Sequence, residues 1–218
     1  MSNTTTRQGR VLTGVHFMLG NYAVAEGAIA AGCDFFAGYP ITPANEISER
    51  MSRRLPEVGG VFLQGEDELC SINAVIGASL AGAKAMTATA SAGYNYMQEG
   101  IEYAVAIEAP CVIVDVQRCR GENFATQADV MQMRWGAAGD HEMIVLAPSS
   151  VQESFDYTVW AFNLAEQFRT PVIVMSETTI ALMRERLAIP RQNQIYIDNR
   201  KYTSLSPGEY LPFKAPKN

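Results

Sequence analysis

The chain has 218 residues, 48% of them hydrophobic and 18% charged, with a formal net charge of −6. That length and balance suit one large globular domain, alone or with an appendage. The acidic balance and the lack of any Lys/Arg run argue against nucleic acid or an anionic membrane as partner.

Met1–Arg10 is polar and lacks the apolar core of a secretion signal, which predicts a cytoplasmic protein. The Ala/Gly-rich stretches at 25–32 and 74–83 are too short to span a bilayer. Beyond them, apolar β-type runs alternate with helical stretches. Strands are predicted at 35–39, 61–64, 85–90, 111–116, 143–146 and 171–175. Several are continuously apolar, the mark of strands covered on both faces. Helices are predicted at 23–31, 43–55, 68–81, 96–107, 128–135 and 151–168. The alternation predicts an α/β fold, an open and mostly parallel sheet with helices on both faces.

Thr42-Pro43 reads as an N-cap followed by proline at the first helical position, with Ile47, Met51 and Leu55 on one face behind it. Ser150-Val151-Gln152-Glu153 reads as a capping box. The 68–81 helix is rich in small residues (Ser71, Ala74, Gly77, Ala78, Ser79, Ala81), which suggests close packing against a neighbour or a large ligand. From Thr178 onward the pattern decays. Residues 184–218, with Pro190, Pro207, Pro212 and Pro216, read as an extended connector or tail behind a domain at 1–183. A connector of this kind belongs to a piece of a longer chain or to a tail that wraps a partner.

The four cysteines, Cys33, Cys70, Cys111 and Cys119, form no Cys-x-x-Cys pair, so a zinc or iron–sulfur site built by this chain alone is not expected. His16 and His141 are far apart and read as structural. Chemistry concentrates instead where strands end. Gly38-Tyr39-Pro40-Ile41-Thr42-Pro43 offers a stiff loop and a hydroxyl at a helix start, which suits an anion or serves only as a rigid turn. Glu66-Asp67-Glu68 suits a helix N-terminus. The small and apolar residues behind it suggest that one carboxylate is drawn into an interface, where it needs a specific partner. Asp115-Val116-Gln117-Arg118 delivers an arginine able to fork onto a carboxylate. Ala88-Thr89-Ala90-Ser91-Ala92-Gly93-Tyr94-Asn95 runs a strand into a Ser/Gly turn that can approach a ligand closely. Neither G-x-G-x-x-G after the first strand nor G-x-x-x-x-G-K-[ST] is present, so dinucleotide and P-loop readings have little support.

These segments, with Gly27–Cys33, Ser71-Ile72-Asn73-Ala74, Ala83–Thr89, Pro110–Arg118, Asp129-Val130-Met131-Gln132, Arg134-Trp135-Gly136 and Gly139-Asp140-His141, closely resemble the α subunit of 2-oxoacid:ferredoxin oxidoreductases. The 2-oxoglutarate type is the nearest likeness. The resemblance implies the pyrimidine-side domain of a thiamine-diphosphate-binding fold. It also implies a heteromer with a β subunit, which carries the diphosphate-binding domain, Mg2+ and a 4Fe-4S cluster. The reaction implied is oxidative decarboxylation of a 2-oxoacid to an acyl-CoA, with ferredoxin as electron acceptor and coenzyme A as co-substrate.

By the same resemblance Glu68 is the glutamate that engages the aminopyrimidine, with Glu66 as the alternative. Thr42 and Arg118 face the substrate. Tyr39, Pro40, Ile41, Thr42, Glu68, Ser91 and Gly93 line the cofactor. The chain departs from the family at Ser91-Ala92-Gly93-Tyr94, where Ser-Gly-Pro-Gly is usual, and in the loop Cys119-Arg120-Gly121-Glu122-Asn123-Phe124-Ala125. Both departures lie beside the substrate position. They leave open the same chemistry on pyruvate or another 2-oxoacid, and a non-catalytic assembly subunit.

Overall fold

The computed structural model describes residues 11–118, 125–137, 141–206 and 208–209. Six strands form one parallel sheet: β2 (Phe35–Gly38), β3 (Val61–Gln64), β4 (Ala85–Thr89), β5 (Val112–Gln117), β6 (Ile144–Leu146) and β7 (Val172–Glu177), in the spatial order β3-β2-β4-β5-β7-β6. The helices are α1 (Gly20–Ala30), α2 (Asn45–Glu57), α3 (Glu68–Leu80), α4 (Ser91–Tyr96), α5 (Gln98–Ala106), α6 (Gln127–Trp135), α7 (Val151–Phe168) and α8 (Thr178–Leu182).

The continuous apolar strands are buried on both faces, as such strands require. In β5, Val112, Val114 and Val116 join the core under α1, α2 and α7, while Ile113, with Cys111 just ahead of the strand, joins the core under α3, α4, α5 and α6. Helix α1 is buried almost all round, and its polar Glu26 is held by Arg50 at 2.7 Å and Arg54 at 2.9 Å from α2. Gly27 lets α1 meet α7, since a Cβ there would stand 2.7 Å from the Phe155 carbonyl oxygen. Among the described residues no helix is long and apolar enough to cross a membrane.

The predicted strands and helices are all present, with shifted ends and one division. The single helix expected at 96–107 is two, α4 and α5, which meet at Met97. Two strands lie outside the expectation. Strands β1 (Gly14–Leu19) and β8 (Arg184–Ile189) pair antiparallel as a separate ribbon, Gly14 opposite Ile189 and Leu19 opposite Arg184. The segment read as a connector from residue 184 therefore opens with a paired strand, buried at Leu187 and Ile189.

Two caps also differ from expectation. Helix α2 starts at Asn45, and Thr42–Pro43 is a cis peptide ahead of it, so Thr42 caps nothing. Ser150 does cap α7, accepting from the Glu153 N–H at 3.1 Å, but Glu153 reaches Ser149, accepting from its N–H at 2.8 Å and its hydroxyl at 2.7 Å. The box is completed one residue early.

Past β8 the chain is strapped across the amino ends of β2 and β4. Lys84 Nζ donates to the Asp198 carbonyl at 2.5 Å and the Ala31 carbonyl at 3.2 Å. Asn163 holds the Tyr196 carbonyl and the Asp198 N–H, at 2.9 and 2.8 Å. Arg200 pairs with Glu166 at 2.7 Å and donates to the Ser79 carbonyl, with side chains only 13% and 4% exposed for Arg200 and Glu166. Removing one partner of such a pair leaves the other charge stranded in the interior. Arg200→Ala should therefore lower stability by about 3 kcal/mol, read as a shift of the urea midpoint.

Candidate functional site

Strands β3, β2, β4 and β5 are neighbours, and the polar loops singled out from sequence follow each of them at the carboxyl edge of the sheet. That edge is where an open parallel sheet binds ligands, because the strand ends leave backbone groups and loop side chains free of packing.

After β3, Asp67 caps α3 by accepting from the Cys70 N–H at 2.6 Å. The cap fixes the first turn and separates the two glutamates. Glu66 is exposed, while Glu68 is only 7% exposed on the inner face of α3. Its carboxylate lies against Gly93 at the start of α4, where a Cβ would come 2.5 Å from Glu68 Oε1 and would also collide with the Thr89 hydroxyl. Glu68 takes no hydrogen bond among the described residues. It lines an open depression of about 380 Å³ with Ile41, Ala92, Gly93, Asn95 and Tyr96.

After β2, the loop from Tyr39 to Ala44 is held from behind. Asn21 of α1 is fully buried and donates to the Pro43 carbonyl at 2.7 Å and to Glu46 at 2.8 Å. Tyr39, Pro40 and Thr42 are exposed, and Ile41 is half-buried. The Thr42 hydroxyl accepts from the Asn45 amide at 3.1 Å. After β5, Arg118 reaches across and its guanidinium donates to the Thr42 carbonyl at 2.8 Å. The structure thus brings Glu68, Gly93 and Ile41 to one depression and sets Arg118 against Thr42 beside it.

Ser91 stands apart from the other expected cofactor contacts. It is 8% exposed and its hydroxyl is engaged on both sides, donating to Asp129 Oδ2 at 2.5 Å and accepting from the Arg118 N–H at 2.8 Å. Most of the loop at 119–125 lies outside the described residues, as do Gly139 and Asp140.

Two acids carry no role in the sequence reading. Asp115 lies inside β5 between Val114 and Val116, is fully buried, and neither of its carboxyl oxygens has a hydrogen-bond partner among the described residues. Burial, and then the neighbouring Asp129, push its pKa well above the ordinary aspartate range. Burial likewise raises Asp129, opposed by the Ser91 hydroxyl and the Arg118 N–H. Burial also raises the Tyr94 phenol, and the Cys111 thiol is pushed up to about 12. The available signal was the charge itself, since an acid inside an otherwise apolar run has to be buried with it.

For Asp115 the folded state holds its proton more tightly than the unfolded chain does. The folded state therefore binds more protons between the ordinary aspartate value and the raised one, and stability falls as pH rises through that window. Asp115→Asn should remove this slope and be more stable than wild type at pH 8. Urea midpoints of both proteins at pH 4, 6 and 8 check it.

Comparison with known proteins gives the family. The chain is 53% identical over 207 residues to 2-oxoglutarate synthase subunit KorA of Methanothermobacter marburgensis, covering 93% of this chain and 55% of that protein. It is 46% identical over 177 residues to ketoisovalerate oxidoreductase subunit VorB of the same organism, covering 79% of this chain and 50% of that protein. The chain thus spans about half the length of the curated relatives it matches. A solved structure of 2-oxoglutarate:ferredoxin oxidoreductase from Magnetococcus marinus, with 2-oxoglutarate, coenzyme A and succinyl-CoA bound, superposes with a TM-score of 0.84 at 39% identity, covering 88% of this chain and 34% of that one. The thiamine-diphosphate-binding family of pyruvate flavodoxin/ferredoxin oxidoreductases matches residues 26–217, and the chain belongs to that family.

Proposed function

We propose that the chain supplies the pyrimidine-facing half of the thiamine diphosphate site in a 2-oxoacid:ferredoxin oxidoreductase that converts 2-oxoglutarate to its acyl-CoA and CO2. The observation that carries this reading is Glu68, a buried carboxylate without a hydrogen-bond partner among the described residues, beside a glycine that leaves it room. An acceptor of that kind fits the N–H edge of an aminopyrimidine ring, and the depression with Ile41 and Tyr96 on its walls fits the ring's faces.

When bound, thiamine diphosphate supplies a carbon nucleophile and then a sink for the electrons left by decarboxylation. The chain's own contribution is to orient and exclude. Glu68 holds a proton between its oxygen and the ring and fixes the ring's tautomer. Ile41 and Ala92 keep water from the ring face, and Arg118, at Thr42, takes the substrate's carboxylate as a two-pronged donor.

A β subunit with the diphosphate-binding domain, Mg2+ and a 4Fe-4S cluster would complete the site, with ferredoxin as electron acceptor and the cytoplasm as the setting. The outer face of α3 supports such a partner, for Asn73, Gly77 and Leu80 are exposed there and small side chains permit close approach. The similarity to a ketoisovalerate oxidoreductase subunit favours a second reading, the same chemistry on a branched 2-oxoacid.

Co-expression with the β subunit, followed by coenzyme-A-dependent reduction of a low-potential dye with a panel of 2-oxoacids, tests both readings. Glu68→Ala should lose roughly 100-fold or more in kcat while the complex still assembles. Gly93→Ala, which pushes on the Glu68 carboxylate, should weaken thiamine diphosphate binding by roughly 10-fold. An assembled complex without activity on any 2-oxoacid would point to a non-catalytic subunit instead.

A further inference from the structure

Ser91 and Asp129 form the part of the site region that the proposed reaction leaves unused. Their contacts run in sequence from a buried acid to the substrate arm. Asp129, in the first turn of α6 and 3% exposed, accepts from the Ser91 hydroxyl at 2.5 Å. The Ser91 hydroxyl proton lies toward Asp129 in this contact. The lone pairs of Ser91 Oγ are thereby turned toward Arg118, whose N–H it accepts at 2.8 Å. Arg118 is the first residue past β5, where the strand's own ladder ends.

The adjoining residue is pinned as well. Gln117 Nε2 donates to the Thr126 carbonyl at 3.0 Å, and the Thr178 hydroxyl donates to the Gln117 carbonyl at 3.0 Å. With its backbone fixed on these sides, the Arg118 side chain arrives at the Thr42 carbonyl, 2.8 Å away.

We infer that Ser91 and Asp129 are positioning residues for substrate binding, acting through Arg118: the acid orients the serine hydroxyl, and the hydroxyl anchors the backbone from which the guanidinium meets the 2-oxoacid carboxylate. The inference rests on the reading of Arg118 given above. It removes Ser91 from the residues that face thiamine diphosphate and gives Asp129 a role that its sequence position did not announce.

Calorimetric titration of the assembled α/β complex with 2-oxoglutarate, alongside KM from dye reduction, tests it. Ser91→Ala and Asp129→Ala should each raise Kd and KM for 2-oxoglutarate by roughly 10-fold, the scale expected when a binding group is displaced by a fraction of an ångström. Thiamine diphosphate affinity should stay at the wild-type value. Asp129→Asn keeps an acceptor oxygen and should bind within roughly 3-fold of wild type. Neither change should add to the loss caused by Arg118→Ala.

Wild-type binding by Arg118→Ala would overturn the role of Arg118 and this inference with it. Weakened binding by Arg118→Ala together with wild-type binding by Ser91→Ala would overturn the inference alone. So would losses that add to that of Arg118→Ala, or a Ser91→Ala complex that loses thiamine diphosphate instead of 2-oxoglutarate. Ser91→Ala removes one buried oxygen and adds no bulk, so it keeps the test available if Asp129→Ala fails to assemble.

Discussion

A parallel sheet buried on both faces leaves its strands few places to be polar, and the chemistry of this chain follows from that constraint. Side chains along β4 and β5 point alternately into two apolar cores. Any group that must meet a ligand is therefore displaced to the strand ends. The helices that follow cannot begin until the chain has turned, and each turn presents a loop at the same edge. Glu68, Thr42, Gly93 and Arg118 are far apart in sequence, yet they share a neighbourhood because β3, β2, β4 and β5 are consecutive in the sheet. Neither a long insertion nor a second domain is needed to gather them.

The acids near this edge sort by what surrounds them. Glu68 sits on the inner side of a helix start, beside a glycine and an open depression, so its charge can meet a ligand. Asp129 accepts from the Ser91 hydroxyl. Asp115 has no such donor among the described residues, and burial pushes its pKa upward. Three carboxyl groups in one region thus meet three different surroundings.

Much of this was legible in the sequence. The doubly covered strands were visible as unbroken apolar runs, and the site loops stood out because polar residues interrupt those runs at their carboxyl ends. Glu68 was separable from Glu66 only through the family likeness, since helix phase depends on where Asp67 caps. The expectation at Thr42 failed for a related reason. A Thr-Pro pair has the composition of a helix start, but here the buried Asn21 holds the Pro43 carbonyl, and α2 begins only at Asn45. Ser91 reads as a ligand contact from its place in a turn, and only its two hydrogen bonds reveal that it faces inward. The ribbon of β1 and β8 went unread because neither strand has a local partner, and the charged Arg184, Glu185 and Arg186 mask the inward Leu187 and Ile189.

That ribbon has a consequence for how the chain is made. The pairs within the main sheet join segments that leave the ribosome in fairly close succession, whereas Gly14 must wait for Ile189. Until then β1 carries unpaired backbone groups beside Val15 and Phe17, both more than half exposed even in the finished fold. An edge of this kind invites pairing with the wrong chain. Among the described strands, β1 is thus made first and paired last, and its edge stands open until β8 appears.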